Sequence, residues 1–141
     1  MILFIYLNHK QFIYMSNLHL SAGLGFKNGK YNVGLSLVEF KEENVTIIYS
    51  PALDLSGYGY SDVEAKSSFA EALHEFFKYT YNKKTLDQVL KNLGWTIKGS
   101  KNKIKFNPPK DSDLVTSNPM YNEIVNKKNY KVSRENVEFA Y

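Results

Sequence analysis

Few side chains in this sequence stand at the spacings that catalysis requires. Three histidines are present, at positions 9, 19 and 74. His9 and His19 have no acid or second ligand nearby. His74 follows Glu71 by three residues, which puts both on one face of a helix; carboxylate-bridged metal bundles need that unit twice with further carboxylates, and it occurs once. His74-Glu75 opens like a zincin motif, but Lys78 stands where the second histidine belongs. Gly57-Tyr58-Gly59 lies between a strand pattern and a helix pattern, as a phosphate loop would. Asp62 replaces the third glycine, however, and with Glu64 it sets negative charge where a phosphate would bind. A ribonuclease-type centre needs several carboxylates converging on metal ions. The first two strand patterns carry no acid before Glu39, and Asp54 with Asp62 does not complete such a cluster. Ser56 has no histidine and acid that single it out as a nucleophile. The chain has no cysteine, which excludes thiolate chemistry and disulfides and fits a reducing compartment. The expectation is a protein without catalytic residues, metal or cofactor, which acts by binding.

The charged residues point the same way. Net charge is +4, but residues 81–110 hold eight lysines (Lys83, Lys84, Lys91, Lys98, Lys101, Lys103, Lys105 and Lys110) and one acid, Asp87. This local excess exceeds that of the whole chain. Lys98, Lys101, Lys103 and Lys105 alternate with, or turn between, apolar residues such as Ile97 and Ile104. One face of that hairpin is then cationic and the other packed. Such a face suits phosphate backbones, and it equally suits an edge guarded against aggregation. The segment contains no arginine, the residue that base-reading surfaces favour.

The elements that position these residues follow from pattern. Residues 18–27 read as a strand ending in Asn28-Gly29, a type I′ hairpin pair. Tyr31, Val33, Leu35 and Leu37 alternate with polar or small residues, a half-buried strand. Lys41-Glu42-Glu43-Asn44 makes a turn, and residues 45–49 form a third strand. Gly57-Tyr58-Gly59 reads as a flexible turn. Ser61 and Glu64 then form a capping box, and Ala65, Phe69, Ala72, Leu73 and Phe76 make the apolar stripe of a long helix. Thr85 with Gln88 makes a second box, opening a short helix through Leu93 that Gly94 ends in the left-handed region. A lysine-rich hairpin follows, stopped by Pro108-Pro109. Asn118-Pro119 opens a short helix through Val125, and residues 130–141 hold one or two strands. The apolar N-terminal run of residues 1–7 is an edge strand or sequence upstream of a start at Met15, the latter favoured because the clean strand pattern begins at Leu18.

The run from Tyr49 to Gly59, Tyr-Ser-Pro-Ala-Leu-Asp-Leu-Ser-Gly-Tyr-Gly, followed by Tyr60-Ser-Asp-Val-Glu-Ala65 and a helix, resembles the HicB family of antitoxins. Those domains show antiparallel strands, an aromatic-Pro-Asp-Leu-Pro-Gly segment, and Gly-Asp-Thr-x-x-Glu-Ala opening a helix. Gly59, Ser61, Glu64 and Ala65 stand at the matching places over residues 18–80, with Ser61 for the threonine. The resemblance implies a truncated ribonuclease-H-like α/β domain without nuclease chemistry, which neutralises a small toxin or pairs with itself. The DNA-binding helical motif that usually follows in the family has no clear pattern in residues 81–141. Residues 86–106 are loosely similar to the small double-stranded-RNA-binding fold of the partner toxins, with Lys101 and Asn102 where those carry a histidine after Gly-Ser.

The combined expectation is an α+β fold: a three-stranded antiparallel meander packed by one long helix, then a short helix and a second hairpin. Residues 16–80 form the HicB-like domain, and 81–141 a basic extension of it. The protein is expected in the cytoplasm, as a homodimer or holding a small toxin, with Asp54, Gly57, Tyr58 and Tyr60 on the partner. The alternative is nucleic-acid binding through Lys98, Lys101, Lys103 and Lys105. No apolar run reaches the ~20 residues that span a bilayer.

Overall fold

The computed structural model describes residues 2–7, 11–16, 30–99 and 103–140. Its centre is a four-stranded antiparallel sheet, so the fold is α+β. Strand β1 (Ile2–Leu7) pairs with β2 (Gln11–Ser16) in a hairpin of its own. The sheet is built from β3 (Lys30–Glu42), β4 (Val45–Ser50), β5 (Leu55–Gly59) and, far along the chain, β8 (Tyr130–Ala140). Its spatial order is β5-β4-β3-β8. The meander is therefore β3-β4-β5, and the segment that reads as a flexible turn, Gly57-Tyr58-Gly59, is its third strand. The strand expected over residues 18–27 and its Asn28-Gly29 turn lie outside the described residues. The N-terminal run pairs with residues 11–16 rather than with the main sheet.

Helices cover both faces of the sheet. Residues with odd numbers on β3 (Val33, Leu35, Leu37) lie on the side of α1 (Asp62–Lys83), whose backbone passes directly over Gly57 and Gly59. The other face carries Ser36, Val38, Phe40 and Tyr49. Helices α3 (Asp111–Ser117) and α4 (Pro119–Lys127) tie into that face through Ser36–Asp111 and Tyr49–Asn118 hydrogen bonds. Val38, between two covered positions, is fully buried. This two-sided burial explains why β3 reads as a near-continuous apolar run towards its end.

The long helix starts where its cap requires. Ser61 has extended backbone and its Oγ accepts the Glu64 N–H at 3.2 Å. Its buried stripe is Ala65, Phe69, Ala70, Leu73, Phe77 and Thr80. Phe77 replaces the expected Phe76, which is half-buried and stacks edge-on against Phe77 at 5.2 Å. The stripe drifts because 3.6 residues per turn do not divide a repeat of four, and over 22 residues the buried face rotates.

Helix α2 (Leu86–Asn92) carries no capping box. Thr85 makes no side-chain cap, and Gln88 instead donates to Asn92 at 2.8 Å. Lys84, left-handed at φ 55, reverses the chain, and the Thr85 N–H bonds back to the Thr80 carbonyl. That αL link closes the end of α1 and occupies the Thr85 N–H that Gln88 would have bonded. Gly94, at φ 93, ends α2 in the left-handed region as its sequence position implies. Trp95 follows, buried, and its indole N–H donates to the Ala52 carbonyl at 2.7 Å. Strands β6 (Thr96–Lys98) and β7 (Lys105–Asn107) then form the second hairpin, whose Phe106 packs edge-on against Tyr31. Trp95, Phe106, Leu114, Tyr121, Ile124 and Val137 share one buried core with Leu35 and Phe69, so residues on both sides of position 80 contribute to it. Asn118 caps α4 through the Tyr121 N–H at 3.1 Å, with Pro119 at the first helical position, and that helix runs two residues past Val125.

Phe69→Ala should lower the unfolding free energy by ~3–5 kcal/mol, whereas Phe76→Ala, at a half-buried site, should cost clearly less. Denaturant midpoints of the two variants check this. Equal losses would mean that the helix turns a different face to the sheet.

Candidate functional site

The most distinctive local arrangement lies where β5 runs into α1. A Cβ on Gly57 would overlap the backbone of Phe69, and one on Gly59 would overlap Glu64 and Ala65. Glycine at both positions lets the helix backbone lie directly on the strand at the edge of the sheet. From there two helix side chains reach the strand's own backbone. Ser68 Oγ accepts the Tyr58 N–H at 3.1 Å, and the Glu64 carboxylate accepts the Tyr60 N–H at 2.8 Å. The expected box is thus present with one change, since Glu64 takes the donor of Tyr60 rather than that of Ser61. Among the described residues no strand pairs with the outer edge of β5. Its donors at Tyr58 and Tyr60 are nonetheless occupied, which blunts the edge against strand addition.

The side chains that alternate with the glycines point away from α1. Tyr58 is 67% exposed and Tyr60 81%, and Val63 in the first turn of α1 is 66% exposed. Residues 51–65 carry three acids, Asp54, Asp62 and Glu64, and no base. The result is an exposed aromatic surface in a stretch of chain that carries acids and no bases. Of the residues expected to touch a partner, Tyr58 and Tyr60 lie on that surface. Gly57 is buried beneath α1. Asp54 sits in the turn before β5, left-handed at φ 53, where its carboxylate accepts the Tyr49 hydroxyl at 2.6 Å. Asn118 in turn donates to that hydroxyl at 2.8 Å. Burial, then the bond to Asp54, pushes the Tyr49 phenol well above its ordinary pKa. Asp54 therefore ties β4, its turn and α4 together.

A second polar cluster occupies the open end of the sheet. The carboxyl groups of Glu39 on β3 and of Asp62 at the first turn of α1 lie close enough that a proton on Glu39 would bridge them. They line a cleft of about 330 Å³ with Phe40, Lys41, Asn129, Tyr130 and Lys131. Thr46 Oγ1 also reaches Asp62, at 3.4 Å. Burial, followed by the Asp62 charge and its hydrogen bond, raises the Glu39 pKa, and Lys66 and Lys131 oppose the shift. Sequence reasoning missed this pair because 23 positions separate its members; the one signal is that Glu39 falls in phase with Leu35 and Leu37, on the face that α1 covers. Among the described residues no group of three His, Asp or Glu side chains forms a metal site.

The lysines expected to contact nucleic acid are gathered in part. Lys98 and Lys105 face one another across the β6–β7 pair, Lys103 precedes β7, and all three are exposed. Lys101 lies outside the described residues. Comparison with protein-family models, curated proteins and solved structures finds no match for this chain.

The Glu39–Asp62 pair has a definite pH signature. Its raised folded pKa means that Glu39 binds its proton more tightly in the folded chain than in the unfolded one. The stabilisation is complete below the unfolded carboxylate pKa and is lost as pH rises through the folded value. Glu39→Gln keeps a donor to Asp62 at every pH. Its melting temperature should exceed that of the parent at about pH 8 and approach it at about pH 4. A variant that melts below the parent at the higher pH would show that the charged pair is not strained.

Proposed function

We propose that this protein is a non-catalytic binding protein, resembling a HicB-type antitoxin, which holds a small basic protein against the surface formed by Tyr58, Tyr60 and Val63. The observation that carries this reading is the exposure of these three large side chains within six residues. Tyrosines of this kind supply much of the binding energy in protein interfaces at little cost in side-chain entropy. The backbone beside them is already hydrogen-bonded to Ser68 and Glu64. Recognition there rests on side chains, with the helix-opening loop rather than the strand edge as the contact. The acids Asp54, Asp62 and Glu64, which flank the tyrosines in sequence, suit a partner of positive charge, whose approach they would steer. Packing also supports the resemblance, because Gly59, Glu64 and Ala65, which match the family's motif, meet at the strand–helix contact.

The test is co-expression with the product of a small basic reading frame adjacent to the gene. The pair should co-purify, and Tyr58→Ser/Tyr60→Ser should weaken the complex on the order of tenfold or more while leaving the melting temperature of the free protein unchanged. Light scattering of the protein alone measures whether it forms the homodimer that the sequence leads one to expect. Self-association that the double substitution abolishes would make a second copy the occupant. An unchanged affinity in the double variant would move the interface elsewhere.

A further inference from the structure

We propose that the exposed face of the β6–β7 hairpin binds the phosphate backbone of duplex nucleic acid without reading its sequence. Lys98 and Lys105 are register partners in this antiparallel pair. Like charges directly opposite one another destabilise a sheet. Among the described residues neither they nor Lys103 forms an ion pair, and no acid occurs in residues 88–110. An anion lying across the pair would remove that repulsion.

The face is held ready for such a ligand. Ile97 and Phe106, register partners on the opposite side, pack inward. Trp95, just before β6, is anchored to the Ala52 carbonyl. The lysines therefore project from a hairpin fixed to the core, with Thr96 exposed and Asn107 partly exposed beside them. Guarding an edge is a poor explanation for this arrangement, because strands of three residues offer almost no edge to protect.

The remaining residue types narrow the ligand. A membrane surface calls for apolar side chains that enter the headgroup layer. None of the exposed large hydrophobic residues falls in residues 83–110. A single strand calls for aromatic rings on which bases stack, and Trp95 and Phe106 are both buried. Base reading favours arginine, and the segment has none. What remains is a set of point charges suited to the regularly spaced phosphates of a duplex.

Anisotropy titrations of the full chain against a labelled DNA duplex, an RNA duplex, a single strand of the same length and a duplex of scrambled sequence test the proposal. Flotation with vesicles containing about one-fifth phosphatidylserine tests the membrane. Duplex binding should be independent of sequence. With three phosphates neutralised, the slope of log affinity on log salt should be about −2.7, a loss of about 40-fold between about 50 and 200 mM salt. Lys98→Gln/Lys105→Gln should weaken duplex binding and leave the circular dichroism spectrum and melting temperature intact or improved. Lys41→Gln/Lys127→Gln removes the same charge from exposed sites elsewhere and should leave binding near that of the parent. The proposal is overturned if no duplex binds, if single strands or vesicles bind more tightly than duplexes, or if the two double variants lose affinity equally.

Discussion

The contact on which the rest of this structure depends is the direct seating of helix α1 on strand β5. It requires the absence of a side chain at Gly57 and Gly59, because any Cβ there would occupy the helix backbone. Once the helix lies that close, three consequences follow together. Phe69, which sits over Gly57, enters the core. Ser68 and Glu64 come within hydrogen-bonding reach of the strand's outer donors. The alternating residues Tyr58 and Tyr60 are forced outward, since the inward positions are taken. A single steric constraint thus closes the edge and exposes the aromatic surface. The same seating brings Asp62 to the end of the sheet, where it meets Glu39 and Thr46.

How much of this was legible depended on how local each determinant was. The Ser61–Glu64 cap, the Gly94 terminus and the Asn118-Pro119 helix start are decided within a few residues, and sequence carries them. The second capping box fails because the Thr85 N–H that Gln88 would have bonded is already donated to the Thr80 carbonyl at the end of α1. Gly57-Tyr58-Gly59 has the composition of a turn, and only its pairing with Ile48 and Ile47 makes it a strand. Strand β8 closes the sheet from about 100 residues away, by register with β3, and a polar alternation such as Lys131 to Asn136 fits an edge strand or a loop equally well. The Glu39–Asp62 pair is non-local for the same reason. The tyrosines could be singled out from the motif they sit in, but their exposure follows from the glycines that alternate with them.

Charge is segregated along the chain in a way that the fold preserves. Residues 51–65 contain acids and no bases, while residues 88–110 contain bases and no acids. Neither surface neutralises the other within the molecule: Lys98, Lys103 and Lys105 form no ion pair among the described residues, and the Glu64 carboxylate is bonded to a backbone N–H. Leaving these lysines unmatched forgoes the modest stabilisation of surface ion pairs. It retains a positive field able to raise the rate of encounter with a ligand of negative charge.

The two surfaces are nonetheless mechanically joined. Trp95 opens the basic hairpin and donates its indole N–H to Ala52, in the turn that leads into β5. Two residues further on, Asp54 holds the Tyr49 hydroxyl, and through it Asn118 at the start of α4. In this turn the hairpin, the central sheet and the C-terminal helices thus share hydrogen bonds. These bonds are buried or partly buried, where losing one partner leaves a polar group unsatisfied at a cost of about 1–3 kcal/mol. The geometry of the hairpin and that of the tyrosine strand are consequently fixed to the same few atoms.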